Sequence, residues 1–368
     1  MEVRSDMITK AAHFLHGRLL WLLIGSYAVA AVCPGPGLWV KSLSVGRIVL
    51  AGEPLKLSAP MLMLAALLFN AGLCVSLSRL RGLARRPAAL PAGLLANTMI
   101  PMAYIIGVDL MMRTWHNPDE VQTILAGLAL VAAMPIAGSS TAWSQNAEGD
   151  LALSLGLVLG STLLSPLLTP LALHGVGFLA KGGYARDLHA LASGGVHTFL
   201  VVGVILPSVL GIASRVALGG ERVDRARSGL KVVNCLVLLF LNYANASVSL
   251  PSAIARPDPD FLGATLGLVL GLCTLTFCSG WVIARLLREP PGRTASLTFG
   301  LGMSNNGTAL VLASVALADH PRVMLPIILY NLVQHLVAGA ADRFLRKRLR
   351  SDRESAVQAS PRPVLGGM

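Results

Sequence analysis

The chain is a succession of long apolar runs separated by short polar segments. A helix needs about 20 predominantly apolar residues to cross the hydrocarbon core of a bilayer. By that criterion ten spans are predicted, over approximately 19–34, 58–77, 88–111, 122–147, 150–174, 196–217, 229–251, 260–287, 294–317 and 321–345. The first run, Leu19 to Cys33 behind Arg18, is short enough to suggest a cleaved leader, but the spans behind it favour its being one of them. Pro34-Gly35-Pro36-Gly37 is expected to end it. The pattern divides the chain into an N-terminal segment (1–18), five spans (19–174), a linker (175–195), five more spans (196–346) and a tail (347–368) expected to be disordered.

Two of these spans are interrupted. Met134-Pro135-Ile136-Ala137-Gly138-Ser139-Ser140-Thr141 breaks the fourth, and Gly302-Met303-Ser304-Asn305-Asn306-Gly307 breaks the ninth. Proline removes an N–H and disturbs the turn before it, and glycine lets the backbone leave helical geometry. In a bilayer such breaks are tolerated only where they are buried in protein or line a polar cavity, because no water is present to satisfy the freed backbone groups. One break alone is explained by close helix contact and interhelical hydrogen bonds. Two at the fourth position of each set of five point to the binding site of a secondary transporter. Five is odd, so the second set enters the membrane oppositely to the first, and an inverted repeat is available.

Composition supports a membrane protein: 54% of residues are hydrophobic and 13% charged, with mean hydropathy +0.67. A soluble domain carries about a quarter charged residues. The net charge of +12 suggests nucleic acid until the charges are placed. With an inner N-terminus, Arg79, Arg81, Arg85, Arg86, the basic stretch Arg215 to Lys231, Arg285, Arg288, Arg293 and the C-terminal basic run all fall on one side, which retention of Lys and Arg in the cytoplasm explains. Lys41, Arg47, Lys56, Arg113, Lys181, Arg186, Arg256 and Arg322, the minority, fall on the other. The prediction is a multi-pass protein of the bacterial inner membrane with both termini cytoplasmic and no nucleic-acid partner. The five cysteines show no metal-ligand spacing and imply no disulfide framework.

The half-helices that follow the breaks point partly positive N-termini toward the membrane centre, suited to an anion, and the preceding halves offer carbonyls suited to a small cation. Ser139, Ser140, Thr141, Ser304, Asn305 and Asn306 are candidate caps and substrate ligands. Asn97 in the third span and Asn242, Tyr243 and Asn245 in the seventh face either the same cavity or neighbouring helices. Asn331, Gln334 and His335 share a face of the tenth, with His335 a packing residue or a proton carrier. Asp150 fits a helix start. A membrane hydrolase would need a nucleophile with a base or a metal cluster, and no histidine-and-carboxylate grouping lies in the apolar runs.

Gly149-Asp150-Leu151-Ala152-Leu153-Ser154 and Ser161-Thr162-Leu163-Leu164-Ser165-Pro166-Leu167-Leu168-Thr169-Pro170 resemble the fifth span of the bile acid:sodium symporter family. Gly302-Met303 with Asn305 and Gly307, the Phe69 to Pro101 region, and His335 with Gly339 resemble it too. The resemblance implies an all-α polytopic protein of ten transmembrane helices in two inverted five-helix repeats. It implies a panel (spans one, two, six and seven), a core (three to five and eight to ten), and discontinuous fourth and ninth helices that cross. It implies alternating-access transport of an organic anion, bile acid-like or a small carboxylate, with Ser139, Ser140, Thr141, Asn97, Ser304, Asn305, Asn306 and His335 at the substrate.

Carrying over the sodium ligands gives Ser140, Thr141, Ser154, Gly300, Leu301, Met303 and Ser304, with no cofactor other than that coupling ion. The family's glutamate falls on Gly300, its neighbouring glutamine on Ser304, a fifth-span threonine on Val158 and the third-span glutamine on Asn97. A hard cation surrounded by neutral oxygens alone is weakly held, so sodium coupling is expected to be weakened or lost. The alternatives are an ion-independent or proton-coupled exporter or uniporter of the same fold, or a membrane sensor without transport. Oligomeric state is left open.

Overall fold

The computed structural model describes residues 10, 14–15, 18–50, 53–76, 83 and 87–359. The helices are α1 (Leu19–Val32), α2 (Gly35–Ser42), α3 (Ala59–Leu73), α4 (Ala89–Met111), α5 (Pro118–Ala133), α6 (Ser139–Asn146) and α7 (Leu151–Gly177). They continue with α8 (Gly182–Leu218), α9 (Gly220–Ala246), α10 (Leu250–Ala255), α11 (Pro259–Leu286), α12 (Pro291–Gly302), α13 (Asn306–Ala316) and α14 (Met324–Ala359). Among the described residues, six helices are each long and apolar enough to cross a membrane, or seven if the bent pair α1–α2 counts as one span. Helices α3 and α13 are apolar but shorter.

Local chemistry sets several starts. Asn117 accepts the Asp119 N–H ahead of α5, with Pro118 in its first turn, and Asp150 Oδ1 accepts the Ala152 and Leu153 N–H groups at the start of α7. Asp258 caps α11 in the same way through the Phe261 N–H. Side-chain oxygens at these positions satisfy donors that have no partner inside the helix.

The layering is inside out relative to a soluble bundle. On α7, Ser161, Ser165 and Thr169 form a buried stripe at four-residue spacing, while Leu163, Leu167 and Leu171 form a parallel stripe that is 57%, 67% and 61% exposed. Residues four apart share a helix face, so one face carries hydroxyls inward and the opposite face presents leucine outward. That polarity suits a hydrocarbon surround. The broken helices lie innermost: every residue of α5 from Glu120 onward and of α12 from Arg293 onward is buried.

The structure departs from the predicted pattern in four places. The fold is helical as expected, with one local addition: strands β1 (Ser44–Leu50) and β2 (Glu53–Ser58) pair antiparallel between α2 and α3, with Arg47 opposite Lys56 and Ile48 opposite Leu55. Pro34 to Gly37 follow the end of α1 at Val32 as expected, but the chain does not leave as a loop: it turns through 92° straight into α2, since proline is compatible with the first turn of a new helix. Gly37 packs on Ser247, where a Cβ would overlap the serine side chain. Gly182 to Gly195, assigned to the linker, are already helical and run on into the predicted sixth span as α8, which includes π turns at Leu191–Gly195 and Val201–Ile205. Finally, α14 runs to Ala359 through part of the predicted disordered tail, a stretch rich in good helix formers. Arg79, Arg81, Arg85 and Arg86 lie outside the described residues, as do 360–368.

Candidate functional site: two broken helices joined at a buried crossover

Helices α5 and α6 are separated by Met134–Gly138, and α12 and α13 by Met303–Asn305. The two breaks meet. Ile136 and Ser304 form an isolated antiparallel bridge, in which the Ala137 N–H donates to Met303 O (2.9 Å) and the Asn305 N–H donates to Pro135 O (3.0 Å). Met134, Ile136 and Met303 are each 1% exposed or less.

Several of the backbone groups freed by the breaks find partners in side chains of neighbouring helices, as a water-free interior favours. Pro135 has no N–H to satisfy. The Ile136 N–H donates to Ser161 Oγ (3.0 Å), and Ala133 O accepts from Thr169 Oγ1 (2.6 Å). On the second break, the Ser304 N–H donates to Gln334 Oε1 (3.2 Å) and Gly302 O accepts from Tyr330 OH (3.4 Å). Helix α13 is capped by Asn305, whose Oδ1 accepts the Thr308 N–H (3.2 Å). Helix α6 has no side-chain cap: its N-cap is Gly138, and Thr141 Oγ1 donates back to Gly138 O (2.7 Å). The cap expected of Ser139 to Thr141 is therefore not made, and α6 presents its N-terminal end uncapped by any side chain.

Of the predicted substrate residues, Ser139, Ser140, Thr141, Ser304, Asn305 and Asn306 are brought together by the bridge. Ser139 is exposed, whereas Ser140 and Asn306 are buried, and the Ser140 hydroxyl and both Asn306 amide atoms have no hydrogen-bond partner. Asn97 lines a narrow polar cleft against the first break with Thr98, Met134, Pro135, Ser161 and Thr169. His335 is buried on α14 beside Gln334. Sequence reasoning missed Ser161 and Thr169 as the groups that terminate the first break. They lie inside the fifth-span motif, and their four-residue spacing with Ser165 was the signal available.

The residues present do not make a good sodium site. Ser140 Oγ and Ser154 Oγ are buried and without partners, but every oxygen the set offers is neutral. At Gly300, a Cβ would stand 2.9 Å from Leu157 Cδ1. Leu157 is fully buried in an apolar cluster with Ile136, Leu153, Leu297 and Leu301, against which Val158 packs. Hydrocarbon thus occupies the direction in which a carboxylate would have to project. The buried acidic groups Glu120 and Glu289 are committed elsewhere, to Trp115 and Asn117 and to Arg293 respectively. Desolvating a cation without a carboxylate is unfavourable.

Helices that are apolar outward and polar inward, with two breaks joined at a buried centre, define a multi-pass membrane protein with an internal polar site. The model of the sodium bile acid symporter family matches residues 61–254, more than half of the chain, and the chain belongs to that family of membrane transporters. An uncharacterized protein of Bacillus subtilis (strain 168), YbaS, is 27% identical over 245 residues, covering 66% of this chain and 76% of YbaS. The family match takes in the first break and α7; the second break lies beyond it.

Proposed function

We propose that the protein is a carrier for an organic anion, bile acid-like or a small carboxylate, which works by alternating access and without sodium. The observation that carries this reading is the crossover: two broken helices joined through an antiparallel bridge at the most buried level of the fold. An antiparallel join is what two halves related by a twofold axis in the membrane plane produce. In this reading the spans number ten, in two inverted sets of five, with the broken pairs α5–α6 and α12–α13 counted as the fourth and ninth. Helices α1 to α3, α8 and α9 form the panel, and α4 to α7 with α11 to α14 form the core. Both termini are cytoplasmic and the membrane is the bacterial inner membrane.

Electrostatics favours an anion. At the crossover one carbonyl at the end of each of α5 and α12, Ala133 O and Gly302 O, accepts from Thr169 and Tyr330, which offsets part of the negative end a cation would need. The N-terminus of α6 has no side-chain cap and keeps its partial positive charge available. Loss of the family's carboxylate at Gly300 removes a negative charge from the same centre.

The test is uptake of labelled taurocholate, pantoate and pyruvate into proteoliposomes, with and without an inward sodium gradient. Equal uptake of at least one anion under both conditions is expected. Uptake that requires sodium would overturn the ion-independent part. If no anion is taken up and none stabilises the protein against heat, the carrier assignment fails.

A further inference from the structure

Beyond the crossover, a directed chain of buried side chains connects the second break to helices on the opposite side of the molecule. Gln334 Oε1 accepts the Ser304 N–H, and its Nε2 donates to Asn331 Oδ1 (3.2 Å). Asn331 Nδ2 then donates to Tyr27 OH (2.7 Å) and to Asn242 Oδ1 (3.1 Å). Tyr27 OH donates to the same Asn242 oxygen (2.9 Å), and Asn242 Nδ2 donates to Leu238 O (2.8 Å). Tyr27, Asn242, Asn331 and Gln334 are 4%, 1%, 7% and 3% exposed. The network runs from the backbone of the crossover through α14 to α1 and α9.

These bonds are not what holds α1 to α9. Ser26 Oγ donates to Leu239 O (2.9 Å), Tyr243 OH donates to Cys33 O (2.6 Å) and the Gly37 N–H donates to Tyr243 OH (3.2 Å). With those contacts intact, α1, α2 and α9 stay together whether or not Asn331 is engaged. Asn331 therefore links two groups of helices: α14 with the crossover on one side, and α1, α2 and α9, braced to one another without it, on the other.

We propose that Asn331 is a positioning residue that couples occupancy of the crossover to separation of those two groups; this rests on the carrier reading above. The Ser304 N–H has one hydrogen, so Gln334 and an incoming carboxylate compete for it. A carboxylate is the stronger acceptor, since charge-assisted hydrogen bonds are about twice as strong as neutral ones. When the carboxylate takes the N–H, Gln334 loses the bond that fixes its amide and releases Asn331 Oδ1. The far contacts to Tyr27 and Asn242 then lose their support, because linked buried hydrogen bonds reinforce one another. An empty crossover keeps the halves latched, and an occupied one frees them.

The experiment uses the full chain with its five cysteines replaced by alanine and a reporter, Thr308→Cys, on α13, where Thr308 is fully buried and its hydroxyl unpartnered. Labelling by a membrane-impermeant maleimide is followed in proteoliposomes without any anion. Tyr27→Phe and Asn331→Leu are expected to raise the labelling rate about fivefold, the population shift from losing one net hydrogen bond. Ser26→Ala removes a bond that stays within the α1–α9 unit and is expected to leave the rate unchanged. Equal rates for Tyr27→Phe and Ser26→Ala would overturn the proposal; Tyr27→Phe keeps the ring and decides the matter if Asn331→Leu fails to fold. No transported substrate enters this measurement, so its failure and a failure of the uptake assay are distinguishable.

Discussion

The two flanks of the crossover differ in kind. Toward α7 the second broken helix meets hydrocarbon: Leu157 lies against Gly300, with Leu297, Leu301 and Val158 around it. Toward α14 it meets amides and a phenol, Gln334, Asn331 and Tyr330. The family's resemblance places the coupling ion on the first flank. The flank that the resemblance assigns to the ion is filled by packing, while the flank facing α14 is polar. The contrast teaches that the join between the breaks is indifferent to side-chain charge, because it is made by backbone groups.

If the α7 flank is held by packing, shortening Leu157 must hurt most. Leu157→Ala is expected to lower stability by about 2–5 kcal/mol, the range for a buried leucine truncation that leaves a cavity, measured by thermal unfolding in detergent. A loss under about 1 kcal/mol would mean that the flank is loosely filled. On the polar flank, Gln334→Leu leaves the Ser304 N–H without its acceptor and is expected to cost about 1–3 kcal/mol. Uptake should fall with it, and unchanged uptake would remove Gln334 from the transport machinery. The comparison is sharpened most directly by exchanging the chemistry of the first flank. Leu157→Ala with Val158→Thr and Gly300→Glu supplies a carboxylate, a hydroxyl and room for both. Sodium at about ten times its dissociation constant should then stabilise the variant by about 1.4 kcal/mol relative to potassium, with no such difference in the native protein. A sodium-dependent shift in the native chain would refute the apolar reading of that flank.

Much of this geometry was legible in the residues. Pro135, Gly138, Gly302 and Gly307 announce the two breaks because proline and glycine weaken a helix where a bilayer leaves its backbone no water to turn to, and Asp150 announces the start of α7. The filling at Gly300 was not legible, since a missing carboxylate in the sequence does not say whether water, a neighbouring polar group or a leucine takes its place. The same limit hid the roles of Ser161, Thr169 and Gln334, which act on backbone groups far away in the chain: 25 residues separate Ser161 from Ile136, and 30 separate Gln334 from Ser304. Local propensity also misjudged the caps. Ser139 to Thr141 are good capping residues, yet Gly138 takes the N-cap position and Thr141 turns back onto it. The hairpin at 44–58 escaped notice because the apolar criterion for spans passes over short strands.

Joining Pro135 to Asn305 and Ala137 to Met303 through main-chain atoms has a consequence for how such a protein can change over generations. Inserting or deleting one residue in either break would misalign both hydrogen bonds, so the two halves of the chain must keep step in length even where they no longer resemble each other. Side chains are under no such constraint. Change in this architecture is thereby channelled into substitution and away from the insertions that diversify loops elsewhere.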